Sequence, residues 1–548
     1  MPDIAGILNI GRQALSAHQR AISVTSGNIA NVNTPGYSRQ QPLYETTSIL
    51  DGVFGSGVQI AQVRSVVDTF LERQIITGQS TLGRFQAEKG LMDRIEDVFN
   101  NGGNGIHQAI NDFFSAVNDL SDDAAETAPR VVLLERARGF AQTVRAVDTQ
   151  LKSISKDMDA EIRGRVDEVN QLALQIADLN KTIQLADHSS DASSANGLKD
   201  ERTRLLGALS EKVQINLLEG ENGAVTVTVG GGGETATLIS GGHADSLSAS
   251  MDAQNSGRTK ISLRDGRDIT GSIGGGRLGG LIEIRDNVLS AYTDKLDKLA
   301  ASIAVGFNTQ HAKGFALDGT EGGDFFSPLN LSVSEPSTNN GGASMLVAID
   351  EAQALTFDPY EITFSQGQFT IRNVKTGAST ADFTATAFGF TAVFEGIAIE
   401  IAGDASDGDR FDIAMPYQGQ AGKMDVVLSD PALIAASDSA EALPGGNGNA
   451  LLLAQLQDKS FSALGDTLQD FYAGFTAEVG SRARLSQQNL AVEEGIADQL
   501  ATKREEVSGV SLDEEMTNLI SFQRAYQASA RLITTADELL QTIIEMKR

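Results

Sequence analysis

The 548-residue sequence contains no cysteine and no tryptophan. The lack of cysteine excludes disulfides, thiolate metal sites and cysteine nucleophiles. Aromatic residues make up only 5% of the chain, so its cores rest mainly on aliphatic side chains, which suit long Ala- and Leu-rich helices better than compact enzyme pockets. Proline occurs 10 times against 56 glycines, which predicts glycine turns and helices that are seldom interrupted. There is no run of 18 apolar residues, so no segment predicts a membrane span. The first thirty residues lack a basic stretch followed by a continuous apolar one, which argues against a cleaved secretory signal. Export, if it occurs, is expected by a route that cleaves no such signal. Histidines are few and scattered, at His18, His107, His188, His243 and His311, without metal-ligand spacing and without an H-E-x-x-H motif.

What the chain does have is length and acidity. Its 548 residues allow three or four domains, each with a core of its own. The formal net charge is -29, and it is spread unevenly. Residues 1–50 hold three basic and two acidic side chains, and residues 500–548 hold six and eight, so the two ends together stand near -1 and the middle near -28. An acidic middle resists contact with nucleic acid and anionic membranes, and neither is expected as a partner. The nearly neutral ends can pack closely without like-charge repulsion.

Those ends carry matching apolar repeats. Leu8, Leu15, Ile22 and Ile29 recur at every seventh position, with Ile4 one turn earlier. More than 480 residues further on, Leu512, Leu519, Tyr526, Ile533 and Leu540 do the same, with Met516, Ala530 and Ile544 at the intermediate three- and four-residue steps. Each stripe lies along one side of a helix and has no local segment to cover it. The expected cover is the opposite end or another molecule.

Between the ends, periodicity predicts a helix over 3–33, stopped by Asn33-Thr34-Pro35-Gly36, then extended chain over 38–64. Helices follow over about 66–100, 105–120 and from Pro129 to about 186, the last with a stripe running from Leu151 to Ile183. A helix of that length would measure about 90 Å at 1.5 Å per residue, with a break possible at Gly164. A short helix over 198–212 precedes a strand-like region, 213–270. A further helix spans 278–311, with Leu281, Ile284, Val288, Tyr292, Leu296, Leu299, Ile303 and Phe307 on one face. Residues 343–416 read as strands, including Tyr360–Phe364, Gln368–Ile371 and Val393–Ile401. Most of 450–548 reads as two helices broken near Ser508-Gly509. The resulting fold class is α+β multidomain. It comprises a terminal α-helical coiled coil (1–60 with 505–548), a helical-bundle rod domain (61–212 with 275–315 and 445–504) and β-rich inserted outer domains (213–274 with 316–444).

The turn after the first helix reads Asn28-Ile29-Ala30-Asn31-Val32-Asn33-Thr34-Pro35-Gly36-Tyr37-Ser38-Arg39-Gln40. It combines a helix stop, asparagines able to bond nearby backbone, a Pro-Gly turn and one aromatic anchor. The string as a whole, with Asn31, Asn33, Thr34, Pro35, Gly36 and Tyr37 at its centre, resembles the signature of the bacterial flagellar rod, hook and hook-associated family. The stretch from Ser508 to Ile533 looks like that family's closing helix. Two internal segments, Asn308–Phe326 and Gly408–Pro416, are similar to the hook-associated branch.

The resemblance implies a structural subunit of the flagellum at the junction between hook and filament, needed for filament assembly and swimming. It further implies a ring of identical subunits, neighbours in the hook protein and a second junction protein, and a cytoplasmic export chaperone on the C-terminal helix. It places the protein outside the cell after type III export, with terminal segments that order on assembly. The expected assembly interface is Ile4, Leu8, Leu15, Ile22, Ile29, Leu512, Met516, Leu519, Tyr526, Ile533, Leu540 and Ile544. No catalytic, cofactor-binding or metal-binding residue is expected. The acidic glycine turns at 318–324 and 404–409 lack a full calcium-loop register, and Gly230–Gly233 and Gly274–Gly276 lack the Lys-Ser/Thr of a phosphate loop. Two other readings are a hook or distal-rod subunit, and a flagellar scaffold whose β insertion binds a ligand or carries an activity.

Overall fold

The computed structural model describes residues 4–47, 57–100, 105–187, 194–220, 223–231, 234–255, 257–380 and 390–546. His188, Gly232 and Gly233 lie outside the described residues. The chain forms two compact units. One comprises residues 1–90, 158–283 and 486–548, the other residues 91–157 and 284–485.

The first unit opens with α1 (Ile4–Ala30), which runs unbroken through Gly11 and Gly27 and stops at the Asn-Pro-Gly turn, as expected. Strands β1 (Gln40–Thr46) and β2 (Val58–Ser65) form an antiparallel hairpin that packs on α1. Helix α2 (Thr69–Phe99) contributes to both units. The second unit then contains α3 (Ile106–Asp122). Helix α4 (Thr127–Asp187) contributes to both, and it is continuous through Gly164. Its buried side includes Leu151, Ile154, Met158, Ile162, Val166, Val169, Ile176 and Ile183.

Helix α5 (Ser194–Lys212) returns to the first unit and leads into a meander of β3 (Ile215–Glu219), β4 (Val225–Val229), β5 (Ala236–Ser240) and β6 (His243–Ala244). A separate hairpin follows, β7 (Ser248–Met251) with β8 (Thr259–Ser262). The alternation of Val225, Val227 and Val229 buries one face of β4. Asn180 on α4 is fully buried and donates to the carbonyls of Val225 and Gly241 while accepting from the Val225 N–H, which fixes the meander on the helix. Helix α6 (Gly276–Glu283) completes this part.

The expected single helix over 278–311 is in fact α6, a π-helical turn at Ile284–Leu289 and α7 (Ser290–His311). The sequence explains the wider turn. From Ile284 to Val288, Tyr292 and Leu296 the apolar positions advance in fours, faster than the 3.6-residue period. The π turn absorbs that excess, so all four of these residues stay buried.

The rest of the second unit is mostly β structure. Its strands are β9 (Ser332–Ser334), β10 (Ser344–Ile349), β11 (Tyr360–Ser365), β12 (Gln368–Asn373), β13 (Phe390–Phe394), β14 (Ile397–Ala402) and β15 (Arg410–Ala414). They form a three-stranded sheet in the order β10-β14-β13 and a four-stranded sheet in the order β12-β11-β15-β9. Inward residues of both, among them Met345, Ile362, Ile371, Ile399 and Phe411, share one core. The run Val393–Ile401, expected as one strand, is the hairpin β13–β14. Glu395 and Gly396 take φ of 45° and 85°, as Gln366 and Gly367 do between β11 and β12 at 55° and 78°. Positive φ at both central residues is the two-residue turn whose twist suits antiparallel strands.

Short helices α8 (Gln420–Lys423) and α9 (Gly448–Gln455) then lead to α10 (Leu468–Ser508), which contributes to both units. The chain breaks at Ser508–Ser511, as expected, and ends in α11 (Leu512–Met546) in the first unit.

Within the second unit, the segment 308–326 closes a phenylalanine core. Phe113, Phe114, Phe140, Phe307, Phe325 and Phe326 are all buried, with ring centroids such as Phe307–Phe325 at 4.7 Å and Phe113–Phe307 at 5.1 Å. The Asn308 side chain accepts from the N–H groups of Phe325 and Phe326 (3.0 and 2.8 Å) and donates to the Phe326 carbonyl (2.8 Å). His311 Nδ1 lies 2.7 Å from the Gly323 carbonyl, and Nε2 accepts from the Ala435 N–H at 2.9 Å. Two glycines of this segment are spacers: a Cβ at Gly314 would stand 2.1 Å from the Asn449 side chain, and one at Gly322 would stand 2.0 Å from the His311 carbonyl oxygen. The other family-like segment has a similar role, since Asp409 accepts N–H bonds from Ser406 and Asn340, both at 2.8 Å.

Candidate assembly surface at the paired terminal helices

α1 and α11 pack against each other along their length. The pair is antiparallel. Asn28, near the end of α1, bonds Glu515 at the start of α11, whereas a Cβ at Gly11 would stand 2.7 Å from Cγ1 of Ile533. Carried along both helices, this register sets Ala14 opposite Ser529, Ala21 opposite Phe522 and Ile4 opposite Leu540.

The inner line of α1 consists of small and polar residues. Gly11, Ala17, Ala21, Thr25 and Asn28 are buried, with Ala14 half-buried. Small side chains let the two backbones approach closely, as the Gly11–Ile533 contact shows. Leu8, Leu15, Ile22 and Ile29 flank this line and are half-buried, as is Ile4. On α11, Leu519, Tyr526, Ile533 and Leu540 lie along the seam and are half-buried, whereas Leu512, Met516 and Ile544 are exposed. Leu532 and Leu539 form a further apolar line on the flank, 44% and 50% exposed, one heptad apart. The paired helices thus keep much of their apolar surface in contact with solvent. Rings from three elements close one side of the seam: His18 and Tyr44 are 6.4 Å apart, as are Tyr44 and Phe522. Burial pushes the His18 pKa down and the Tyr44 pKa up.

The turn that follows α1 ties this pair to the rest of the first unit. Asn31 donates to the Gly27 carbonyl at 2.9 Å and so caps the helix end. Its own carbonyl accepts the Thr34 N–H at 2.9 Å, and its side chain accepts the Thr34 hydroxyl at 3.2 Å. Gly36 takes φ of 82°, a left-handed conformation that favours glycine. Asn33, Thr34 and Pro35 are exposed. The Tyr37 hydroxyl donates to Asn28 Oδ1 at 2.8 Å, and its pKa is pushed up to about 12 by burial and by the nearby carboxylates of Asp200 and Glu515.

Asn28 uses its full bonding capacity. Oδ1 accepts from Tyr37 and from the Gln40 N–H, and Nδ2 donates to the Gln40 carbonyl and to Glu515 Oε2. Arg39 adds Nε to Glu515 at 3.0 Å and a second nitrogen to Glu514 at 2.9 Å, and its N–H donates to the Ser508 carbonyl. On the other side of the turn, Arg504 donates to the Gly36 carbonyl at 2.9 Å, and Asp200 accepts the Ser38 N–H at 3.1 Å. Asp200 and Glu72 both line two neighbouring cavities of about 440 and 430 Å³, and burial raises the pKa of both.

The sequence did not single out Glu515, Asp200 or Arg504. A signal existed for Glu515, which continues the spacing of Leu519, Phe522 and Tyr526 on the seam; as a charge beside two other acidic residues it reads as solvent-facing. Among the described residues no group of three or more metal-ligating side chains comes together, and no helix is long and apolar enough to cross a membrane.

Comparison with known proteins meets this geometry at both ends and in the middle. Residues 8–37, covering α1 and its turn, match the family of flagella basal body rod proteins. Residues 502–546, covering the α10–α11 joint and α11, match the flagellar basal body rod FlgEFG protein C-terminal family. Residues 92–326 match the helical domain of flagellar hook-associated protein FlgK. The flagellar hook-associated protein 1 of Escherichia coli (strain K12) is 28% identical, over 99% of this chain and 100% of its own. That of Bacillus subtilis (strain 168) is 27% identical, over 98% and 97%. The solved flagellar hook junction protein FlgK from Burkholderia pseudomallei has a similar fold, with a TM-score of 0.59 at 18% identity, covering 79% of this chain and 100% of that one. With its ends matching the rod families and its whole length matching hook-associated relatives, the chain belongs to the flagellar hook-associated protein 1 family.

Proposed function

We propose that this protein is a structural subunit of the hook–filament junction, and that its paired terminal helices carry the contacts between subunits. The observation that carries the reading is the state of α1 and α11. Their polar groups at the turn are bonded within the chain, while Leu532 and Leu539 and the flank of Leu8, Leu15, Ile22 and Ile29 remain open or half open. Covering such surface contributes roughly 25 cal/mol per Å², and neighbouring subunits in a ring are the natural cover. The hook protein and a second junction protein are the axial neighbours, and an export chaperone covers the C-terminal helix before the chain leaves the cell without a cleaved signal. The role is structural, with no catalytic step.

Leu539→Asp tests the reading, because a half-exposed position tolerates the charge in a lone chain but not in a buried interface. In flagellated cells lacking their own copy, the variant should fold and be exported yet fail to support filament growth. Normal filaments on the variant would refute the interface.

A further inference from the structure

We propose that Glu515 is a positioning residue that sets the register of α1 on α11, a reading that rests on the terminal helices being the assembly surface. Of the described side chains of α11 only Glu515 and Ala536 are buried. A carboxylate is an unusual choice for a buried place on a helix otherwise in contact with solvent, and it is retained here with matched partners: Asn28 from α1 and Arg39 from the turn.

The apolar seam does not select one register by itself. Gly11, Ala17 and Ala21 on α1 stand opposite Ile533, Tyr526 and Phe522 on α11, and Ala14 stands opposite Ser529. The large residues of that seam, Leu519, Tyr526, Ile533 and Leu540, repeat with the heptad, so a seven-residue slip still sets Gly11 and Ala17 against large side chains, at Leu540 and Ile533. The polar network does not repeat. A slip of one heptad would place Asn28 against Phe522 and leave Glu515 with neither Asn28 nor Arg39. A buried carboxylate without partners is strongly disfavoured, and one buried polar contact can thereby fix the alignment of a helix pair. Arg39 adds a second link, because its backbone also bonds Ser508 and, through its carbonyl, Val66. The register of the pair is tied in this way to the hairpin and to the α10–α11 joint. The exposed line of Leu532 and Leu539 is then presented at a fixed height.

The absence of native cysteine makes register directly readable, since only introduced thiols can cross-link. Ala14→Cys with Ser529→Cys reports the native register, and Ala14→Cys with Ala536→Cys reports a one-heptad slip. Both pairs are oxidised in the purified full-length chain and in isolated hook–filament particles. The native pair should form at least about tenfold more disulfide than the slipped pair. Adding Glu515→Ala should bring the two to comparable yields, and Glu515→Gln, which keeps an acceptor for Asn28, should restore most of the preference. Equal yields in the parent chain, or an undiminished preference in Glu515→Ala, would overturn the proposal. Absence of the parent chain from the particles would instead overturn the junction reading, while the purified chain still reports register.

Discussion

The phenylalanine core of the second unit and the helix pair of the first are both built from apolar side chains, but they use them in opposite ways. Phe113, Phe114, Phe140, Phe307, Phe325 and Phe326 are sealed from solvent, and the polar side chains among them serve to hold that seal. In the helix pair the fully buried positions belong to glycine, alanine, threonine, asparagine and one glutamate, while the leucines and isoleucines of seam and flanks are half-buried or exposed. A protein that must be stable alone places its largest side chains deepest. A surface meant to be completed by other subunits keeps them accessible.

The contrast is broken most directly by truncation. Phe325→Ala should cost about 3–5 kcal/mol, the range for removing a buried aromatic ring. Leu539→Ala, at a half-exposed flank, should stay within about 0.5 kcal/mol in the unassembled chain. Amide hydrogen exchange of the full-length protein checks both, read over residues 106–122 and 300–326 for the first and over α11 for the second. A loss of several kcal/mol from Leu539→Ala would mean that the flank is already covered within one chain.

The same contrast decides what could be read from sequence. The helix bounds, the break at Ser508-Gly509 and the β character of 213–270 and 343–416 follow from periodicity and punctuation, which are local. The strict heptads were visible because they are made of large apolar residues. Which face of α1 would turn inward was not, since close approach of two helices selects Gly11, Ala17 and Ala21 for their size, a property that a hydropathy pattern weighs lightly. Glu515 was hidden for a related reason: its burial depends on Asn28 and Arg39, more than 470 residues away. The turn between β13 and β14 was missed because Glu395 adopts positive φ, a conformation that a glutamate rarely takes.

A smaller effect should appear on acidification. The two backbone contacts of His311 require a neutral ring, with Nδ1–H donating to Gly323 and Nε2 accepting from Ala435, and burial pushes its pKa below the ordinary 6.5. The folded state therefore binds a proton less readily than the unfolded one. Stability from this site is present above the ordinary histidine value and is lost as pH falls below it, by at most about 1.4 kcal/mol per pH unit. Hydrogen exchange over 300–326 should accelerate, after correction for intrinsic rates, as pH is lowered from 7 towards 5. In His311→Gln that slope should flatten; an unchanged slope would assign the acid sensitivity to other groups.

Asp200 should respond to acid in the opposite sense, and more weakly because it is only half-buried. Burial raises its pKa above the ordinary 3.8 even though the Ser38 N–H bond and the nearby Arg504 guanidinium act to lower it, and Glu72 beside it is raised for the same first reason. Here the folded state binds a proton more readily than the unfolded one. The stabilising contribution is complete below the ordinary carboxylate value and is lost as pH rises through the raised folded value. At neutral pH the charged side chain is therefore a cost that the turn bears for holding Ser38. Asp200→Asn, which keeps an acceptor for that N–H, should match or exceed the parent in protection of residues 34–40 at pH 7, and the parent should draw level as pH falls towards 4. If the asparagine variant is instead weaker at neutral pH and equal in acid, the Arg504 attraction outweighs burial, and the turn is held by charge as firmly as α1 is held at Glu515.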